Sequence, residues 1–190
     1  MNNLLNRTKK TYNEYPRAFW IYNIIVFIDR LGGFMLYPFF ALYLTQKYDI
    51  GMSTVGIVFA VFSISGMVGS ALGGAIADRM GRKVVIIFSL ILSSLSALGM
   101  GFAPSLEIFV VVAVVVGTLS NIGGPAHEAV VADLLPPEKR AEGYGIIRVI
   151  FNMAVIIAPP IAGLLVSRSY LTLFIVDAVI SLISASIVFL

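Results

Sequence analysis

Two adjacent ionisable residues, Asp29 and Arg30, stand inside a long apolar run. Counted from about residue 17 at about 1.5 Å per helical residue, Asp29 lies about 18 Å along. That is close to the middle of a hydrocarbon layer about 30 Å thick. An ionisable group at that depth is expensive and is a functional candidate by default. A carboxyl there can take up and release a proton, and the neighbouring guanidinium can tune it or bind an anionic group. The alternative is a structural charge pair that fixes helix packing. Successive helical residues point about 100° apart, so the two need not neutralise each other. Asn23, Arg30 and Tyr37, at i, i+7 and i+14, extend a polar stripe, and Gly32-Gly33 and Pro38 predict a bend beside it.

A second concentration of charge is Gly74-Ala75-Ile76-Ala77-Asp78-Arg79-Met80-Gly81-Arg82-Lys83, which follows an uncharged stretch. So abrupt a change predicts a membrane surface, at the end of one helix and before the next. Asp78 at a helix end can accept hydrogen bonds from the orphan N–H groups of another helix. Arg82 can pair with Asp133, and Glu138 and Arg140 can extend that network. Upstream, Gly66, Ser70 and Gly74 recur every four residues, with Gly69 and Gly73 on the neighbouring face. Small residues at this spacing let two helix backbones approach closely in lipid, as static packing or as a sliding surface between two halves. Weaker candidates are Glu128 and Asn152, read as cavity residues. His127 reads as a residue near the membrane interface and Asp177 as a structural acid.

These residues need elements to hold them, and the composition says which. The chain is 59% hydrophobic and 12% charged, against about 45–50% and about 25% in soluble domains. A soluble core of 190 residues cannot hide that much apolar surface, so the bilayer is the expected solvent. Six stretches qualify as spanning helices: 18–45, 53–77, 84–103, 106–133, 145–166 and 170–190. Turn and breaker residues separate them, among them Tyr48-Asp49-Ile50-Gly51, Ala103-Pro104-Ser105, Leu135-Pro136-Pro137 and Ser167-Arg168-Ser169. Residues 1–17 form a basic N-terminal segment. The apolar run after it is too long for a signal peptide and lacks a cleavage site, so it stays as a first span.

With the N-terminus inside, one side holds Arg7, Lys9, Lys10, Arg17, Arg79, Arg82, Lys83, Lys139, Arg140 and Arg148, and the other only Lys47 and Arg168. The positive-inside rule makes the 78–83 and 136–144 loops cytoplasmic. The formal charge of +3 follows from this topology and does not point to nucleic acid. Absence of cysteine removes disulfides and thiolate chemistry. With a single histidine and no HExxH, no metal site is expected. No phosphate-binding GxxxxGK[ST] and no Gly-x-Ser-x-Gly elbow occurs, so no cofactor, ATP-driven step or enzyme activity is expected. The end of the chain in an apolar run reads as half of something larger or a truncated chain.

Gly74-x-x-x-Asp78-Arg79-x-Gly81-Arg82-Lys83 resembles, position for position, the signature loop between the second and third helices of the major facilitator superfamily. Pro125-x-x-x-Ala129-x-x-Ala132-Asp133 with Pro137-x-x-Arg140 is similar to that family's fourth-helix ending. Ala154-x-x-x-Ala158-Pro159-x-x-Ala162-Gly163 is similar to its fifth-helix antiporter motif, with alanine at three of the four glycine positions. Where the family often carries a fourth-helix arginine, this chain has Ala113, and Arg30 is the candidate replacement. The resemblance implies an all-α six-helix membrane bundle, one half of a twelve-helix fold, in the cell membrane. It implies a proton-coupled secondary transporter exporting drugs or other small molecules by alternating access. Its partners are a small-molecule substrate, protons, the lipid bilayer and a second six-helix half, in the same chain or a second copy. Gly74, Asp78, Arg79, Gly81, Arg82, Lys83, Asp133 and Arg140 would then gate, with Pro159 and Gly163 as the fifth-helix motif. A solute/proton symporter and a non-transporting sensor or scaffold are the alternatives.

Overall fold

Hydrocarbon offers no hydrogen bonds, so a spanning chain must satisfy its backbone within itself. A computed structural model, which describes Tyr12 and residues 14–189, contains no strand among those residues. Arg7, Lys9 and Lys10 of the expected 1–17 segment, and Leu190, lie outside the described residues. The helices are α1 (Arg17–Tyr48), α2 (Met52–Met80), α3 (Arg82–Phe102), α4 (Leu106–Asn121), α5 (Gly123–Leu134), α6 (Pro137–Val166) and α7 (Tyr170–Phe189). Together α4 and α5 make the fourth of six spans long and apolar enough to cross a membrane.

Local chemistry sets each boundary. Asp49 ends α1 in the left-handed region at φ 52°. Gly81, at φ +88°, separates α2 from α3 in a single residue and donates its N–H to the Ala77 carbonyl at 3.0 Å. Glycine takes that conformation without steric cost. The Ser105 hydroxyl caps α4 by accepting from the Ile108 N–H at 3.4 Å. The fourth span breaks at Ile122 because Pro125 has no N–H for the Asn121 carbonyl and its ring crowds that group. Residues 137–144 of the expected 136–144 loop are instead helical. Pro137 occupies the first turn of α6, where its missing donor costs nothing, so Leu135 and Pro136 are the whole connection. The 78–83 loop likewise shortens to Gly81.

The most extensive helix contacts join α3 to α7, α1 to α6, α1 to α7, α2 to α4 and α3 to α4. Exchanging the first three spans for the last three maps this set onto itself. That is the contact pattern of an internal repeat. Burial in lipid gains little from transferring apolar groups, so close contact and dispersion must hold the bundle. Ala154, Ala158 and Ala162, one residue per turn of α6, are fully buried, the last two with Met35 of α1 and Leu173 of α7. On α2, Gly69 and Gly73 meet the backbone of the fourth span. A Cβ on Gly69 would overlap the Thr118 carbonyl, and one on Gly73 the Ile122 carbonyl. Gly74 has nothing near it and Ser70 and Asp78 are exposed. The glycine ladder therefore has two faces, one locked within the bundle and one open.

Gly73→Ala should lower stability by about 1–3 kcal/mol, the usual cost of overpacking, whereas Gly74→Ala should change it by no more than about 0.5 kcal/mol. Thermal unfolding of both variants in detergent, monitored by helical circular dichroism, checks the difference.

Candidate functional site

A cavity of about 590 Å³ lies in the middle of the bundle, lined from five spans. Its polar residues are Asp29, Arg30 and Tyr37 of α1, Ser63 of α2, Ser89, Ser93 and Ser96 of α3, Ser120 and Asn121 of α4, His127 of α5, and Asp177 and Ser181 of α7. Phe34, Phe40, Phe59 and Phe62 supply an aromatic wall. An apolar cavity with a few convergent polar groups is the usual form of a small-molecule site.

Helix geometry explains the convergence. Ser89, Ser93 and Ser96 fall at i, i+4 and i+7 on α3, and Asp177 and Ser181 one turn apart on α7. The Asp177 carboxylate lies directly against the backbone of α1 at Gly32, where a Cβ would overlap it. Asp177 is 7% exposed and Ser181 is 2% exposed. Neither side chain has a hydrogen-bond or ion-pair partner among the described residues. The Arg30 guanidinium sits 5.6 Å from the ring centroid of Phe151 on α6. Phe151 in turn meets Phe34 edge-on at 4.8 Å. His127 is tied to α1 by Tyr22, whose hydroxyl donates to the His127 carbonyl at 2.6 Å and lies 3.2 Å from Nδ1. One carboxyl, one guanidinium, one imidazole and a second carboxyl thus share one cavity.

Asp29, Arg30 and Tyr37 of the expected site line this cavity; Asn23, Glu128 and Asn152 do not. Asn23 is buried and donates to the Phe19 carbonyl of its own helix at 2.8 Å. Glu128 and Asn152 are exposed. His127 and Asp177, read from sequence as interfacial and structural, both line the cavity. The serine stripe of α3 lies outside the site expected from sequence, and its i, i+4, i+7 spacing is the signal that points to it. Ala113, at the expected fourth-helix arginine position, is buried in an aromatic cluster with Phe40 and Phe109.

The signature stretch lies at one end of the bundle. Arg82 pairs with Asp133 and also donates to the Ala129 carbonyl at 2.9 Å. Arg140 donates to the Ala132 carbonyl at 2.8 Å and the Leu135 carbonyl at 3.1 Å. Arg140 of α6 thereby takes carbonyls at the C-terminal end of α5, where cations are favoured, while Arg82 of α3 adds a second bond to the Ala129 carbonyl about one turn further in. Lys83 donates to the Phe189 carbonyl at 2.9 Å. Asp78, Arg79 and Glu138 are exposed and have no partner among the described residues. Tyr12, Glu14 and Tyr15 dock at the same end, with Glu14 paired to Lys139 at 3.5 Å and Trp20 donating to the Tyr12 carbonyl at 3.0 Å. On α6, Pro159 lies within the helix, and a Cβ on Gly163 would only reach van der Waals contact with Phe39.

The family profile described as Major Facilitator Superfamily matches residues 22–190. Quinolone resistance protein NorA of Staphylococcus aureus is 29% identical over 147 residues, 76% of this chain and 37% of that protein. Multidrug resistance protein 2 of Bacillus subtilis is 30% identical over 177 residues, 93% of this chain and 44% of that protein. The chain spans less than half the length of these curated relatives. It belongs to the major facilitator superfamily and is a multi-pass membrane protein.

Because the Asp177 carboxylate fills the space beside Gly32, the two positions should be coupled. Gly32→Ala should cost about 1–3 kcal/mol in an otherwise unchanged chain and less than about half of that beside Asp177→Ala. A double-mutant cycle on detergent unfolding midpoints measures the difference.

Proposed function

We propose that this chain supplies six helices of a proton-coupled secondary transporter that exports drugs or other small molecules by alternating access. The observation that carries the reading is the central cavity, in which Asp29, Arg30, His127 and Asp177 meet beneath an aromatic wall. Ionisable groups at membrane depth are costly to keep, and an acid that exchanges protons gives that cost a use. The aromatic wall suits apolar or aromatic solutes, and the polar groups opposite supply orientation. The resistance named in both relatives supports export as the direction.

In this reading Asp29 is the coupling acid. Arg30, held over Phe151, keeps a positive charge within reach without neutralising it. The charge bias supports an orientation with the signature end and the N-terminus in the cytoplasm, in the plasma membrane. The Arg82–Asp133 pair then joins the second-to-third-helix connection to the end of the fourth span as a cytoplasmic gate. The open face of α2 and the exposed Asp78 fit a second six-helix half, from the same natural chain or a second copy. Such halves rock about a substrate held near the midplane.

In vesicles carrying the full-length protein, an imposed proton gradient should drive export of a fluorescent aromatic dye. Asp29→Asn should reduce that flux by at least about tenfold, equivalent to about 1.4 kcal/mol on the barrier. Flux unchanged in Asp29→Asn removes this acid from coupling. Gradient-driven uptake in place of export would make the protein a symporter, and absence of flux under any gradient would favour a sensor or scaffold.

A further inference from the structure

The end of the bundle opposite the signature stretch carries a shallow, open pocket between α1, the end of α3 and the turn joining α6 to α7. Lys47 and Arg168 both line it. These are the two cations that the charge bias leaves on this side, and the fold brings them into one pocket from opposite ends of the sequence. Cations on the disfavoured side of a bundle need an explanation, and two converging without a carboxylate need one more. No acidic residue lines the pocket.

The two are held differently. The Lys47 ammonium donates to the Tyr43 hydroxyl at 2.7 Å and to the Gly101 carbonyl at 3.1 Å. It also lies 5.1 Å from the Tyr43 ring and 5.4 Å from the Tyr48 ring. These contacts fix the charge at the pocket wall and leave one of its three donors free. The Arg168 side chain is exposed and has no hydrogen bond or ion pair among the described residues, so its full guanidinium fork is available. Gln46 adds amide donors beside them, and Val166 and Leu171 make an apolar wall.

The pocket lies where the spans end, at the depth of tyrosines 43, 48 and 170, and tyrosine marks the headgroup level of a bilayer. At that level the anionic groups within reach are lipid phosphates, and a guanidinium and an ammonium donate to phosphate oxygens in strong charge-assisted hydrogen bonds. We propose that this pocket binds the phosphate of an anionic lipid, with Lys47 and Arg168 donating to its oxygens and the acyl chains lying along Val166 and Leu171. A soluble phosphate shares the charge chemistry but gains nothing from the apolar wall. A zwitterionic lipid brings its own cation into a pocket already holding two. The site is separate from the central cavity and does not depend on the transport reading.

The test is native mass spectrometry of the full chain released from micelles holding phosphatidylglycerol, phosphatidylcholine or glycerol phosphate. One phosphatidylglycerol should be retained per chain, with phosphatidylcholine at least about tenfold weaker. Arg168→Gln and Lys47→Gln should each lower retention by about tenfold, the loss of one charge-assisted hydrogen-bonded contact, and Arg168→Lys should recover most of it. Equal retention of the two lipids, or retention unchanged in the Lys47→Gln/Arg168→Gln double variant, overturns the proposal. So does full displacement by equimolar glycerol phosphate, which would assign the pocket to a soluble anion. Should Lys47→Gln disturb folding through Tyr43, the Arg168→Gln and Arg168→Lys pair decides alone, since Arg168 has no packing role to lose.

Discussion

A polar group left without a partner in hydrocarbon costs several kcal/mol, and the ends of helices are where such groups gather. In this bundle several carbonyls at or near helix ends are taken by side chains from neighbouring helices. At one end, Arg82 and Arg140 hold the carbonyls of Ala129, Ala132 and Leu135. At the other, Tyr43, Lys47 and Tyr48 of α1 hold those of Met100, Gly101 and Ala103 at the end of α3. Both are cross-links as well as caps. The first joins α3, α5 and α6, and the second joins α1 to α3. The signature stretch is therefore part of the bundle's own hydrogen-bond accounting, apart from any role in gating.

The same constraint sharpens the central cavity by contrast. Where α3 could have turned Ser89 fully into the cavity, its hydroxyl instead donates back to the Ile86 carbonyl at 2.9 Å. Ser181 and Asp177 have no such local outlet. Their burial without a partner among the described residues leaves hydrogen-bonding capacity directed into the space that Asp29 and His127 share. The close approach of Asp177 to α1 is possible only because residue 32 is glycine. Backbone contact thus does two different tasks in this fold: Gly69 and Gly73 bring helices together, and Gly32 admits a carboxylate between them.

Much of this was legible in the sequence. Apolar length gave six spans, and the breakers gave their order. The pairing of Arg82 with Asp133, separated by fifty-one positions, followed from the charge at matching depth. What pattern alone missed depended on which face of a helix turns inward. Asn23 and Arg30 share a stripe by spacing, yet Asn23 bonds to its own helix and Arg30 leans on Phe151. Asp177 looked like an isolated acid because its neighbour, Gly32, carries no chemistry of its own. Pro136-Pro137 breaks one helix and Pro137 also starts the next, so α6 begins earlier than its apolar run.

The internal symmetry adds a last step. The exchange of the first three spans with the last three relates α2 to α6. These are also the two spans whose apolar windows are least buried, at 22% and 17%. An exposed surface made from symmetry-related helices is a single consequence of the repeat rather than two separate accidents. On α2 that surface carries Ser70, Gly74 and Asp78 in line; on α6 the small residues Ala154, Ala158 and Ala162 turn inward instead, against α1 and α7. The repeat is thus broken in its use of small residues while kept in its contacts. Close backbone approach to a second half would be available along α2 and replaced along α6 by larger side chains such as Ile156 and Leu164, which are 72% and 76% exposed.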